Sequence, residues 1–362
     1  IATNQIDVDM VSGATLSSTG FLEAVNNAFE KTGAASDLLV AKEAADSEEK
    51  ADHYDADVIV VGAGGAGLSA AITAAENGAD VIVVEKMNNT GGNTLISGGE
   101  MAAPGNWLQE GEGIDDSTEQ FYQDILAGGD NENDPELVRV LADNALEAAI
   151  WLRDDVNVQF EDYMLFFGGH SVKRSLVPLN ASGVELIQKL QAKAESLGVE
   201  IHTNTAAVEL VQADGKVTAV KAQSDGQDIT YNASKGVILA TGGFEHNKEM
   251  VSSYLQQPYV HQRGGLYNDG EGVKMAMAVG ADLWHMSNSA GFSWTYKNPN
   301  LSTVGLGGPS ATIGVIVGLG GGRFMNEAAQ NRHGSINIGG RWMSTPMPLP
   351  SYVVHDADQL EK

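Results

Sequence analysis

Six residues, Gly62-Ala63-Gly64-Gly65-Ala66-Gly67, follow the apolar run Val58-Ile59-Val60-Val61, and an acid, Glu85, closes the next apolar run. The chemistry open to these residue types at this spacing is the holding of a dinucleotide. Gly62 permits a tight turn, Gly64 lets the backbone approach a pyrophosphate, and Gly67 lets a helix pack close on a strand. The helix that begins here offers its phosphate-facing end a set of free N–H groups and a partial positive charge. Glu85 lies 18 residues past Gly67, where a carboxylate can accept hydrogen bonds from a ribose diol. A glycine turn alone is a weak signal; strand before, helix after and acid at this distance make it a specific one.

A second glycine-rich loop separates the flavin dinucleotide from the nicotinamide one. It runs Lys86-Met87-Asn88-Asn89-Thr90-Gly91-Gly92-Asn93-Thr94, with Ser97-Gly98-Gly99 close behind. Nicotinamide domains do not need it, whereas a flavin protein can use it to bring backbone amides against an isoalloxazine ring. Later, Ala240-Thr241-Gly242-Gly243 closes another apolar strand and Asn268-Asp269-Gly270 follows.

The elements that must position these residues are legible from periodicity. From Asp57 an apolar strand, a helix ending on Gly78 and a second apolar strand form a βαβ unit with a buried parallel sheet. Asp134-Pro135-Glu136 opens a helix predicted to run to about Arg153, and another spans roughly Gly183 to Leu197. A meander of short strands follows, with hairpin signals at Asp214-Gly215 and Asp225-Gly226, and then the strand GVILATGG. Upstream, an amphipathic helix is expected from about Thr19 to Lys31, and residues 34–54 read as a solvated linker.

Composition bounds the partners. The 362 residues carry a formal net charge of −27, so duplex nucleic acid and anionic membrane surfaces are repelled. There are no cysteines, which excludes disulfides, cysteine-held iron–sulfur clusters and thioether-attached haem within this stretch. No metal-ligand set is assigned. No apolar run approaches bilayer-spanning length. The first residue is Ile1 rather than Met, and the chain reads as a piece of a longer polypeptide.

With VVGAGGAGLSAAI, EK…GGNT…SGG, ATGGF, NDGEG and GRFMNE in hand, residues 55–362 resemble the flavoprotein family of fumarate reductases and succinate dehydrogenases, especially the soluble fumarate and urocanate reductases and their 3-ketosteroid dehydrogenase cousins. The resemblance implies an α/β fold: a Rossmann-like FAD-binding domain over 55–280 and an inserted α+β capping domain over 281–362, both incomplete. By the same likeness Gly62, Gly64, Gly65, Ala66, Gly67, Glu85, Lys86, Gly91, Gly92, Asn93, Thr94, Gly98, Gly99, Val208, Ala240, Thr241, Gly242 and Asp269 would contact FAD.

At the other end, Asp9-Met10-Val11-Ser12-Gly13-Ala14-Thr15 looks like the flavinylation motif of FMN-binding domains, in which the FMN phosphate is esterified to the final threonine. Residues 1–33 would then be the carboxy-terminal part of such a domain, with covalent FMN on Thr15. The plainer reading is a helix-entry turn capped by Ser17, Ser18 or Thr19, and both can hold together. The pattern implies a bacterial protein exported to the periplasm or cell surface, with a membrane or soluble donor feeding electrons to FMN.

In the resembled family a hydride passes to one carbon of an electron-poor alkene, a side chain protonates its neighbour, and fixed positive groups stabilise the developing enolate. The likeness makes Arg332 the acid, one residue later than in fumarate reductases, with Glu327 placed to reload it and His333 the alternative acid. Where fumarate reductases carry a substrate-binding histidine and arginine, this chain reads Gly291-Phe292-Ser293-Trp294 and Leu306-Gly307-Gly308-Pro309-Ser310. A dicarboxylate would stand unpaired there, so fumarate is disfavoured. Trp284, Phe292, Trp294 and Tyr296 suit either a flat substrate or the cap's own core. The loop from Gly168 to Arg174 is a weaker lining candidate, with a satisfied loop histidine at His170 and a surface arginine at Arg174 as the default expectations. Three functions stay open: a reductase of an α,β-unsaturated acid or enone, aromatic ones included; a dehydrogenase of steroid-like or succinate-like substrates; and a non-catalytic electron-transfer flavoprotein.

Overall fold

The structure is a computed structural model that describes residues 51–287 apart from 130, 168 and 256–263, together with 295–298, 301–305, 315–318, 320–322, 331–332, 335–338, 341–344 and 351–354. The chain divides into two compact units, Ile1–Asp52 and His53–Lys362, and the elements below belong to the second. The expected helix near Thr19 lies outside the described residues.

In chain order come strand β1 (His53–Val61), helix α1 (Gly65–Glu76), β2 (Val81–Val84), α2 (Gly92–Leu95), β3 (Met101–Ala102), α3 (Trp107–Glu112), α4 (Thr118–Gly128) and α5 (Pro135–Asp154). They are followed by β4 (Phe160–Leu165), β5 (Ser175–Pro178), α6 (Gly183–Ser196), β6 (Glu200–His202), β7 (Ala206–Ala213), β8 (Lys216–Ser224), β9 (Gln227–Leu239) and α7 (Glu271–Ala278). The main sheet has the order β6-β2-β1-β9-β8-β7. Strand β1 pairs in parallel with β2 on one side and β9 on the other.

Both faces of this sheet are covered at its centre, which is why Val58–Val61 of β1 and all of β2 are apolar at every position rather than at alternate ones. Val60, Val81 and Val83 face Leu68 and Ile72 of α1 and Ile187 and Leu190 of α6. Ile59, Val61, Ile82 and Val84 face Leu210, Val220, Ile229 and Tyr231 of the meander. Ile59 and Val60 are 0% exposed, and full burial of side chains this size is worth about 1.5–3 kcal/mol each. The helices start where their caps dictate. Asp134 accepts from the Glu136 and Leu137 amides at 2.9 and 3.3 Å, and Ser182 accepts from Val184 N at 3.2 Å.

The meander departs from expectation in strand length. Its two hairpin turns are as predicted, with Asp214, Gly215, Asp225 and Gly226 all at positive φ, as a two-residue type I′ turn requires. The strand expected at GVILATGG is instead the second half of β9, a single 13-residue strand. Its first half pairs antiparallel with β8 and its length pairs parallel with β1, so the meander and the parallel sheet share one backbone. Strand β1 in turn starts at His53, inside the stretch read as linker.

A small antiparallel sheet, β3-β5-β4, packs with α3, α4 and α5. Here Arg174 is a correction: it is buried at 0% exposure rather than lying on the surface. Its guanidinium forks onto Asp116, with Nε–Oδ2 at 2.9 Å and Nη2–Oδ1 at 2.8 Å, and Nη1 donates to Asp124 Oδ2 at 2.6 Å. Burial alone would raise the Asp124 carboxyl, but hydrogen bonds from Ser171 and Arg174 outweigh it and hold the carboxyl below its usual range. Burial, helped by the Arg174 charge, pushes the neighbouring His170 imidazole down. In the region expected to form the cap, strands β10 (Thr295–Asn298), β11 (Leu301–Gly305), β12 (Val315–Gly318), β13 (Asn331–Arg332), β14 (Ser335–Ile338), β15 (Arg341–Ser344) and β16 (Ser351–Val354) form antiparallel pairings β10-β11, β12-β16 and β13-β14-β15.

Removing Arg174 would strand two buried carboxylates. Arg174→Ala is expected to lower the unfolding free energy by about 3–5 kcal/mol, read from urea denaturation; a change under about 1 kcal/mol would mean that the cluster is solvated.

Candidate functional site

The strand order reverses at β1: the chain steps from β1 to β2 to β6 on one side, and β9 enters on the other. Ligands of open α/β sheets sit in the crevice beyond the carboxyl ends of the strands at such a reversal. A cavity of about 260 Å³ lies there. Its walls are Val61, Gly62, Gly64, Gly65 and Ala66 from the first turn, and Val84, Glu85, Lys86 and Met87 from the end of β2. Gly92, Asn93 and Thr94 of α2, Thr205, Ala207, the Ala240-Thr241-Gly242 turn, and Tyr267, Asn268, Glu271 and Met275 complete them.

The first turn can exist only with glycine at two positions. Gly62 has φ +104°, and a Cβ there would lie 2.4 Å from the Ala240 carbonyl oxygen. A Cβ on Gly67 would lie 1.8 Å from the Gly62 carbonyl oxygen. Helix α1 therefore starts directly over the end of β1. Its N-cap, Gly64, supplies no side-chain cap, and its first turn holds no acidic residue. An anion in the cavity thus meets an N-terminus that no side chain at the N-cap satisfies and no carboxylate of the helix repels. Thr94 Oγ1 takes one of the amides, Gly65 N, at 3.2 Å.

Glu85 sits at the end of β2 with only 8% exposure. Oε2 accepts from Ala63 N and Oε1 from Met87 N, each at 2.8 Å. A carboxylate has about four lone-pair sites, so each oxygen keeps one for a ribose hydroxyl. The second glycine loop lies beside the first: Gly91 N donates to Ala63 O at 2.8 Å, and Gly64 and Gly91 form a parallel bridge. A Cβ at Gly183 would lie 1.7 Å from Thr94 O, so α6 locks this loop from behind. Lys86 Nζ stands 2.5 Å from Glu271 Oε2 and 3.6 Å from Asp269 Oδ2. A glycine-lined turn, a helix N-terminus with no acidic residue in its first turn and a buried carboxylate with acceptor sites to spare could together hold a flavin dinucleotide.

Not every expected contact lines the cavity. Gly67, Gly91, Gly98 and Gly99 lie outside it: Gly67 packs α1 against Gly62, Gly91 meets Leu95 and Ile187, and Gly99 meets Pro178 and Leu186. Asp269 reaches the site through Lys86. Val208 is 49% exposed and outside the lining, while Ala207, on the opposite face of β7, is in it. Of the Gly168–Arg174 loop, no described residue lines the cavity. Thr205, Ala207, Met87, Tyr267, Asn268, Glu271 and Met275 are lining residues that sequence reasoning did not assign as FAD contacts, although Met87, Asn268 and Glu271 fall inside its motifs. Thr205 follows the carboxyl end of β6, the one cue that could have found it.

The chemical candidates fall elsewhere. Arg332 lies in β13, with its backbone opposite Ser335 of β14. Glu327, His333 and Thr15, like Phe292 and Trp294, lie outside the described residues. Trp284 is 60% exposed.

Fold and cavity define a dinucleotide-binding flavoprotein. The family model for the FAD binding domain matches residues 57–347, and the FMN-binding domain model matches residues 1–30. The chain belongs to the FAD binding domain family and, within it, to the fumarate reductase-like flavoproteins. It is 46% identical over 293 residues to the urocanate reductase of Eggerthella lenta, covering 79% of this chain and 48% of that protein. Among solved structures it is similar to the open conformation of a flavocytochrome c3 fumarate reductase, with a TM-score of 0.68, 31% identity and coverage of 76% and 49%. It is also similar to the 3-ketosteroid-Δ4-(5α)-dehydrogenase of Rhodococcus jostii in complex with 4-androstene-3,17-dione, with a TM-score of 0.67, 28% identity and coverage of 79% and 64%. The chain spans less than half the length of each of the first curated relatives that it matches. FAD and FMN are the cofactors of the two matched families.

The close approach at Gly67 gives the test. Gly67→Ala is expected to leave the purified full-length protein without FAD, read from the flavin released on denaturation; stoichiometric FAD in that variant would overturn the packing described for α1 on β1.

Proposed function

We propose that this chain is the flavin-carrying part of an oxidoreductase that reduces the C=C bond of an α,β-unsaturated acid or enone. The observation that carries the reading is the dinucleotide cavity at the β1 strand reversal, built from residues of the family whose members include the urocanate reductase above. The substrate class we favour is a planar aryl- or heteroaryl-acrylate rather than fumarate. The stretches Gly291-Phe292-Ser293-Trp294 and Leu306-Gly307-Gly308-Pro309-Ser310 bring no histidine or arginine for a second carboxylate, and aromatic residues stand near the first.

When bound, FAD supplies the hydride for one alkene carbon. The chain's own work is to place the alkene, exclude water and deliver a proton to the neighbouring carbon. Arg332 is the proton donor in this reading, Glu327 returns the proton to it, and His333 is the alternative acid. An arginine holds its proton tightly, so a carboxylate relay is part of the assignment. Residues 281–362 act as the capping domain and 1–33 as the tail of the FMN domain, joined through 34–54. Thr15 would hold FMN through a phosphoester, and FMN there would supply the relay from a membrane or soluble donor to FAD; the protein works outside the bacterial cytoplasm. No helix among the described residues is long and apolar enough to cross a membrane.

A second reading, a dehydrogenase of steroid-like substrates, draws on the likeness to the ketosteroid dehydrogenase. Anaerobic reoxidation of the reduced full-length protein separates the two. Cinnamate-like or imidazole-acrylate-like acids are expected to reoxidise it faster than fumarate or steroid enones; reoxidation by steroid enones alone would favour the second reading. Arg332→Ala is expected to keep FAD and to lose activity by about 10²–10⁴-fold, the usual worth of a general acid; retained turnover would move the role to His333. Mass spectrometry of the Thr15 peptide, from cells that contain the flavin transferase, is expected to show an FMN adduct that Thr15→Ala lacks, and an unmodified peptide would remove that step.

A further inference from the structure

We propose that Glu245 is a positioning residue for FAD binding, clasping three separate stretches of chain around one side of the cavity. Its Oε1 accepts from Asn93 Nδ2 at 3.0 Å and from Asn268 Nδ2 at 2.8 Å. Asn93 Oδ1 in turn accepts from Gly265 N at 2.6 Å. Asn93 and Asn268 both line the cavity, and Glu245 does not. The clasp joins the second glycine loop, the turn after β9 and the 264–268 segment, positions 152 residues apart at their widest pairing with Glu245.

A carboxylate can only accept hydrogen bonds, so Glu245 dictates which way both amide side chains face. Each must turn its Nδ2 toward the carboxylate. That presents Asn93 Oδ1 to Gly265 N and leaves Asn268 Oδ1 toward Gly242, where a Cβ would lie 3.1 Å from it. The surroundings leave little slack: a Cβ on Gly264 would lie 3.0 Å from both Asn93 Nδ2 and Glu245 Oε1. Other ties exist among the described residues, Asn247 Nδ2 to Asp269 O at 2.8 Å and Lys86 Nζ to Asp269 Oδ2 at 3.6 Å, but without the clasp Asn93 and Asn268, its two members that line the cavity, must be ordered when the cofactor binds. The ordering cost is then taken from the binding free energy.

The test is calorimetric titration of FAD into the deflavinated full-length protein. Glu245→Ala is expected to weaken FAD binding about tenfold, the size of one to two charge-assisted hydrogen bonds in a partly exposed setting. Glu245→Gln keeps an acceptor oxygen for both amides and is expected to stay within about threefold of the parent. Combining Glu245→Ala with Asn93→Ala is expected to weaken binding less than the two single effects multiplied, because the residues act as one unit. Unchanged affinity in Glu245→Ala, an equal loss in Glu245→Gln, or fully multiplicative effects would each overturn the proposal. Should Glu245→Ala fail to fold, Asn268→Ala cuts one arm with the carboxylate intact, and unchanged FAD affinity in that variant overturns it as well.

Discussion

A Cβ on Gly67 would lie 1.8 Å from the carbonyl oxygen of Gly62, and the cavity is organised around that approach. It seats α1 on the end of β1, so that the helix N-terminus and the strand's carboxyl end meet at one point. The same turn touches the third segment of the site. Gly62 leaves no room for a side chain beside the Ala240 carbonyl, and Ala240 N donates to Val61 O at 2.8 Å. Displacing α1 by even the width of a methyl group would pull its Leu68 and Ile72 away from Val60, Val81 and Val83 in the core beneath. Packing and cofactor geometry are therefore one constraint.

The electrostatics of the site run against those of the whole chain. A formal charge of −27 repels a phosphate-bearing ligand at long range, yet Glu85 stands in the lining itself. The lining cation, Lys86, is already shared by Glu271 and Asp269. A pyrophosphate held here would therefore be attracted by oriented backbone amides at the start of α1, which act at contact distance and are little affected by charges beyond a screening length. Glu85 is compatible with this arrangement because its two oxygens are held by Ala63 N and Met87 N, which direct its remaining acceptors to hydroxyls rather than to phosphate.

Charge is handled differently in the small subdomain. Arg174 gives up water entirely and is held by Asp116 and Asp124, with His170 beside it. The four residues tie the approach to β5 to α4 and to the chain before it. In a linear reading Arg174 is an arginine in a polar loop, with nothing to distinguish it from a solvated one, because its partners lie 58 and 50 residues away.

What the sequence alone determined is the local part. The Gly62–Gly67 turn, the βαβ unit, the caps at Asp134 and Ser182 and the Asp-Gly hairpins are each written in adjacent residues, because backbone sterics and hydrogen bonds within a few positions decide them. The run of apolar residues in β1 and β2 likewise announced a sheet covered on both faces. Only the tertiary structure decided that β9 serves both the meander and the parallel sheet, that Ala207 rather than Val208 faces the cavity, and that Thr205 reaches it. It also decided that Glu245 joins Asn93 to Asn268. These outcomes depend on which distant segments the core brings within about 3 Å of each other, the range of a hydrogen bond, and no pattern confined to one stretch of chain encodes its partner in another.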